Sequence, residues 1–247
     1  LHQLIDFSVS TEGSLLLRDF LINHTLNEDE ILRRQSIVKE ILTMNRFREK
    51  FLLTLSLIPK KRLDSQKLIQ WMKKHNGMEK SKGILLVMSL LAVINWCLIL
   101  LYAAGILSGV WIISSFIYFA VYNLGNKYYK DISHDSEIIK EELGKFSRVL
   151  EFIENYNFSK KENLKKLCEP VQSKTTSPYL LLKKISFIVS ILTFKANVFI
   201  WGFAAFLFPI DFYLAYLLQK YRNKIAENFE SWLNVWYNLE AYVSIAN

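Results

Sequence analysis

The sequence predicts an all-α protein, a multi-helix bundle into which one or two membrane-spanning helical hairpins are inserted. Three observations carry this. Over 247 residues there are only 8 Gly and 4 Pro, too few breakers for a strand-and-turn protein. Amphipathic stretches with helix-start signals frame both ends of the chain. Between them, Gly83 to Asn126 runs without a single charged side chain.

Taken in order, the first helix is expected after Ser10 or Thr11, either of which can cap it, with Leu15, Leu16, Phe20 and Leu21 forming its apolar face. Asn27 can cap a second helix. Glu28, Asp29 and Glu30 suit the positive end of its dipole, and Ile31, Val38, Ile41 and Leu42 form its stripe. A third helical stretch covers Arg46 to Leu57. Pro59 and a basic amphipathic run to Lys74 follow it.

Ile84–Ala103 and Ile106–Leu124 are almost wholly apolar, and each is long enough to cross about 30 Å of hydrocarbon as a helix. "AAGILSG" joins them, with Gly105 and Gly109 as breakers. Tyr102, Trp111, Tyr118 and Tyr122 fall toward interface depths. Lys80 and Lys82 on one outer flank, and Lys127 and Lys130 on the other, place both ends on the cytoplasmic side. The competing reading is a pair of buried core helices in a soluble protein. His134 to Tyr156 returns to an amphipathic helix, with Ile138, Ile139, Leu143, Phe146, Leu150 and Ile153 at spacings of three and four. The next segment ends at Pro170, and "VQSKTTSP" reads as loop.

A second apolar region, Ile185 to Leu218, is interrupted by Lys195, Pro209 and Asp211. Lys220, Arg222 and Lys224 follow it, so both flanks are positive. That favours a short hairpin or an in-plane helix pair over a single crossing. Asp211 has three readings: a cap at a Pro209 kink, a functional intramembrane carboxylate, or a partner for Lys195. The last stretch carries Ile225, Phe229, Trp232, Leu233, Trp236, Leu239 and Val243 on one broad core face. The expected organisation is therefore a first core part (1–82), a transmembrane hairpin (83–126), amphipathic core helices and a loop (127–184), a second apolar hairpin or in-plane pair (185–218) and a final core helix (219–247).

The net charge of +8 is concentrated just before the apolar regions. Pro59 to Lys82 carries eight Lys/Arg against two acids, and Phe158 to Lys184 seven Lys against two. This placement fits anchoring at the anionic cytoplasmic membrane surface, with a nucleic-acid patch as the alternative. Cys97 and Cys168 suggest neither a disulfide framework nor a metal site, and His2, His24, His75 and His134 show no ligand spacing and read as surface residues. "GKF" at Gly144–Phe146 lacks the rest of a phosphate-binding loop. No nucleophile elbow is present, so no catalytic residue is assigned. His2, Asp6 and Glu12 interrupt the early apolar stretch, which does not read as a signal peptide.

The opening "LHQLIDFSVSTEGSLLLRDFL" and the following "DEILRRQSIVKEIL" resemble the start of the helical core domain of the MutS family of mismatch-repair ATPases. That domain begins with a Leu-Leu-x-x-Leu-Asp-x-Thr-x-Thr-x-x-Gly-Ser-Arg-Leu-Leu-like pattern, and an Ile-x-x-Arg-Gln-x-x-Val motif follows. Asp6, Thr11, Gly13, Ser14, Leu16, Leu17, Ile31, Arg34, Gln35 and Val38 stand at the matching positions, while Leu15 replaces the usual Arg. At the other end "WYNLEAYVSIAN" is similar to the helix that leads into the family's ATPase domain, with Glu240 where Asp is common, then Ser244 and Ala246.

The resemblance implies a MutS-core-like bundle that transmits nucleotide state and contributes to a homodimer in the full-length protein. Arg34 and Gln35 would fix a helix junction by hydrogen bonds. No cofactor is expected within these residues. ATP and Mg would belong to an ATPase domain beyond Asn247, since the chain starts without Met and breaks off at "SIAN" as a fragment would. The family's clamp strands and mismatch-reading domain find no counterpart, so DNA remains an open partner, and the apolar blocks stand where the arms would leave the core. The expected function is thus the coupling and membrane-anchoring region of a MutS-like ATPase at a bacterial inner membrane, with lipid as partner and soluble parts cytoplasmic. The alternative is a free-standing helical membrane protein that binds a partner or anionic lipid through basic cytoplasmic helices.

Overall fold

The structure is a computed structural model describing residues 2–23, 27–58, 65–73, 78–126, 136–158, 160–173 and 177–247. It is 85% helical, with no strand among the described residues, which makes the fold class all-α. The helices are α1 (His2–Ile5), α2 (Thr11–Ile22), α3 (Glu28–Leu42), α4 (Asn45–Ser56), α5 (Ser65–Lys73), α6 (Met78–Ala103), α7 (Val110–Asn126), α8 (Ser136–Asn155), α9 (Glu162–Gln172), α10 (Pro178–Thr193), α11 (Val198–Leu207), α12 (Ile210–Ala226) and α13 (Phe229–Ile245), with a 3₁₀ turn at Phe194–Ala196. Pro59, Lys127, Lys130, His24, His75 and His134 lie outside the described residues.

Two compact units form. One comprises Leu1–Lys73, Glu141–Lys184 and Lys224–Asn247; the other comprises Lys74–Lys140 and Ile185–Asn223.

The first unit is built around α13. Trp232, Leu233, Val235, Trp236, Leu239, Tyr242 and Val243 are all buried, so this helix is buried over most of its surface and serves as a central helix, with Glu230 and Asn234 on its exposed strip. It packs against α2, α3 and α9. The single helix expected from 219 onward is divided at Glu227 and Asn228, where the chain turns between α12 and α13. Phe146 of α8 meets Phe229 edge-on at 5.1 Å and stacks on Trp236 at 5.4 Å. A second aromatic group joins Phe47 and Phe51 of α4 to Phe152, Tyr156 and Phe158. A fully buried ring removes about 150–250 Å² from water, so these clusters are a large part of the unit's apolar burial.

The predicted caps are present, because they depend on neighbours in sequence. Ser10 Oγ accepts from Gly13 N, and Asn27 Oδ1 accepts from Glu30 N. The faces differ in detail. On α2 the fully buried leucine is Leu17, and Leu15 is exposed; on α3 the buried positions are Ile37 and Ile41, with Ile31 and Leu42 exposed. The helix expected to stop at Pro170 continues to Gln172 and buries Val171. Pro170 sits in its last turn, and its carbonyl accepts from Trp232 Nε1 at 3.0 Å.

In the second unit, α6 and α7 form the antiparallel hairpin. Its turn is a Schellman close: Ile106 N donates to Leu101 O at 3.0 Å and Gly105 N to Tyr102 O at 2.9 Å, with Gly105 at φ 73°. This turn consumes residues 104–109, so the second apolar helix starts at Val110 instead of Ile106. Lys82–Ala103 is long and apolar enough to cross a membrane by length and composition, and only 17% of its most apolar window is buried. At 17 residues α7 spans about 25 Å. Met88, Ala92, Tyr118, Tyr122, Ala205, Phe212 and Ala215 form this unit's core. Gly125 lets α7 approach α12: a Cβ there would lie 2.7 Å from the Phe212 ring.

Candidate functional site

Two polar constellations stand out, one in each unit. In the first, the segment before α2 lies against the last helix. Glu240 on α13 is buried, at 1% exposure. Its Oε1 accepts from Val9 N at 3.0 Å and from Ser10 N at 3.3 Å, and its Oε2 accepts from the Ser10 hydroxyl. Ser244, one turn on, accepts from Phe7 N at 3.3 Å.

The arrangement is a capping box made between distant parts of the chain. In a local box the residue three positions into the helix would bond the cap residue's N–H. Here that position is Gly13, and the carboxylate comes from Glu240 instead. The glycine is required by space: a Cβ on Gly13 would lie 2.1 Å from Glu240 Oε2 and 2.7 Å from Ser10 Oγ. Ser10 therefore works twice, accepting from Gly13 N at 2.9 Å while donating to Glu240.

Asp6 closes the other side of the segment, accepting from Ser8 N at 3.0 Å and from Ser14 Oγ at 2.5 Å. His2, read as a surface residue, is half-buried, and its Nε2 lies 3.0 Å from Ser14 O. The electrostatics of the two carboxyls diverge. Burial pushes Glu240 up to about 7, against the lowering effect of the Ser10 and Val9 bonds. At Asp6 burial also raises the value, but the bonds from Ser14 and Ser8 together outweigh it and hold the group below its usual range.

The remaining motif residues divide. Arg34 does bridge helices, though by stacking: its guanidinium lies 4.2 Å from the Phe20 ring centre, and Phe20 lies 5.3 Å from Tyr242. Its Nε bonds Glu30 within its own helix at 2.8 Å. Bonds from Arg33, with those from Arg34, hold the Glu30 carboxyl to about 2. Thr11 and Gln35 are exposed and Val38 is half-buried. Asp6, Gly13, Ser14, Glu240 and Ser244 are thus brought together, Arg34 joins through Phe20, and Thr11 and Gln35 stay outside.

Sequence reasoning missed two further ties in this unit. Glu40 of α3 accepts from Asn163 N at 3.2 Å and Leu164 N at 2.9 Å, capping α9 from outside. Arg48 donates to Ala246 O at the end of α13. Both partners are far away in sequence, and no local pattern announces them.

The second constellation is centred on Asp211, in the first turn of α12 and 3% exposed. Lys195 Nζ lies 2.8 Å from its Oδ1; Trp201 Nε1 donates to Oδ2 at 3.1 Å, and the Tyr122 hydroxyl donates to the same oxygen. The pairing with Lys195 is the geometry present, and these side-chain donors take both oxygens. Along the same face of α7, Tyr118 OH donates to Ala205 O at 2.7 Å and Ser115 Oγ to Asn95 Oδ1 at 2.9 Å. Such an ion pair in an apolar setting is tolerated because hydrogen bonds meet its remaining polar capacity.

Comparisons with protein-family models, curated proteins and solved structures find no match to this chain.

Proposed function

We propose that the chain is the helical core and membrane anchor of a MutS-like ATPase, a coupling region without chemistry of its own. One observation supports this reading best. The two stretches that carry the resemblance, 230 positions apart, converge on the buried Glu240 carboxylate. Gly13 and the acidic residue of the last helix thereby acquire one shared physical reason.

In this reading α13 leads toward an ATPase domain that holds ATP and Mg, and it grips the segment before α2 through Glu240 and Ser244. A small displacement of α13 would be passed to α2 by hydrogen bonds and to α3 through Tyr242, Phe20 and Arg34. The α6–α7 hairpin, whose apolar side chains Leu86, Leu90, Val93, Ile113 and Phe116 are exposed, is the lipid-facing anchor at the cytoplasmic membrane. Dimerisation and any DNA contact would belong to the full-length protein. The coding sequence beyond Asn247 tests the proposal. A Gly-x-x-x-x-Gly-Lys-Ser/Thr loop about a hundred residues on supports it, and a stop shortly after Asn247 removes it.

A second reading, a free-standing membrane protein with a partner-binding cytoplasmic unit, is favoured by one feature. A cleft of about 370 Å³ between α3, α9 and α13 has Arg33 and Lys166 among its lining residues, over Ile37 and Val235, and no acidic side chain. Capture of an acidic partner that Lys166→Glu abolishes, by a chain with no ATPase domain, would favour this second reading.

A further inference from the structure

The Lys195–Asp211 pair decides how the chain from 185 to 218 meets the bilayer. A broken span would require α11 to descend from one face and α12 to continue to the other. Three observations oppose this. The two helices are bent by 86° at their break, so they do not add end to end along the membrane normal. Neither is long enough alone: α11 has 10 residues, about 15 Å, and the apolar part of α12 ends at Leu218, before Gln219, Lys220 and Arg222. Most directly, Lys195 before α11 and Asp211 after it touch at 2.8 Å. In a broken span α11 would set Asp211, at the break, about 15 Å deeper than Lys195, a separation that two side chains in contact do not have.

The loop these residues close is apolar and outward-facing. Val198 is 76% exposed, Phe199 91%, Ile200 63% and Phe203 67%. Trp201 and Lys195 are bonded to Asp211, and the exposed Asn197 caps α11 by accepting from Ile200 N. The loop is held to the hairpin by Trp96 Nε1 donating to Leu207 O at 3.0 Å and by Tyr118 OH on Ala205 O, which makes its exposed face continuous with the apolar hairpin surface.

We propose that residues 195–211 form a re-entrant element that enters and leaves on the same side, with α11 seated among the acyl chains of a single leaflet. Lys195 and Asp211 clasp its two ends. The chain after Leu218 then stays on the side it started from, in keeping with the positive residues Lys183 and Lys184 before and Lys220, Arg222 and Lys224 after. This rests on the anchor reading of the α6–α7 hairpin.

The test uses the full natural protein with Cys97→Ser, reconstituted in phosphatidylcholine/phosphatidylglycerol bilayers. Spin labels are placed singly at Leu90, Phe199 and Phe203. Power saturation with oxygen and with a water-soluble nickel chelate gives their depth. All three should favour oxygen, with Phe199 and Phe203 within one leaflet. In membrane vesicles of one orientation, Lys183→Cys and Lys220→Cys should react with an impermeant thiol reagent from the same side. A lipid-facing Leu90 with Phe199 exposed to nickel, or shielded from both reagents, overturns the inference and leaves the anchor standing. Labelling of 183 and 220 from opposite sides overturns it as well. Nickel access at Leu90 removes the anchor reading and the inference together.

Discussion

Glu240 Oε1 accepts a hydrogen bond from the backbone N–H of Val9 at 3.0 Å, joining the last helix to the segment before α2 across 231 positions. The room for that carboxylate exists because residue 13 has no side chain. Gly13→Ala is therefore expected to destabilise the first unit by about 1–3 kcal/mol through overpacking. Thermal unfolding in detergent checks it, and the penalty should shrink when Glu240→Ala removes the clashing oxygen. Additive losses in the double variant would contradict this account.

Glu240 also gives a pH dependence with a definite sign. Its folded value is raised from 4.5 to about 7, so its contribution to stability is fully present below about 4.5 and is lost as pH rises through about 7. The melting temperature should fall from about pH 4.5 to about pH 7 in the parent and level off above, the window between the unfolded and folded values. Glu240→Gln should flatten the fall. Glu30 acts in the opposite direction and elsewhere: its lowered value, about 2, removes stability only as pH drops below the normal carboxylate range.

Arg34 reaches its neighbour helix through a ring face. Arg34→Ala should cost about 0.5–1 kcal/mol, and most of that should vanish in a Phe20→Leu background. A double-mutant cycle measures the coupling, and a coupling energy near zero would remove the stacking from the account.

Much of this was legible from local sequence. Ser10 and Asn27 cap their helices because a cap needs only the next three residues. The core face Leu143, Phe146, Leu150 and Ile153 was readable for the same reason, since helical spacing alone places it. The second apolar helix starts later than its composition predicts, because a Schellman turn around Gly105 consumes residues that are themselves apolar. The cap that Glu40 supplies to α9 and the hold of Glu240 on Ser10 depend on tertiary contact. No periodicity encodes them. The Lys195–Asp211 pairing was one of several readings, and choosing among them required knowing that the chain folds back at Pro209.

That pairing makes a further prediction. Lys195→Met leaves a buried carboxylate without its cation and should destabilise the second unit by about 3–5 kcal/mol. Tyr122→Phe, which removes one donor, should cost less, about 1–3 kcal/mol. Lys195→Met with Asp211→Leu should recover much of the loss. Near-ultraviolet dichroism during thermal unfolding follows this through Trp201, whose indole bonds Asp211. Equal losses for all three variants would exclude the clasp.

A membrane-anchored core that serves an ATPase is best probed by assaying ATP hydrolysis of the full natural protein in carbonate-washed membranes. The protein and its ATPase activity should stay in the washed pellet. Full-length protein released to the supernatant, or a pellet protein that does not hydrolyse ATP, would contradict it.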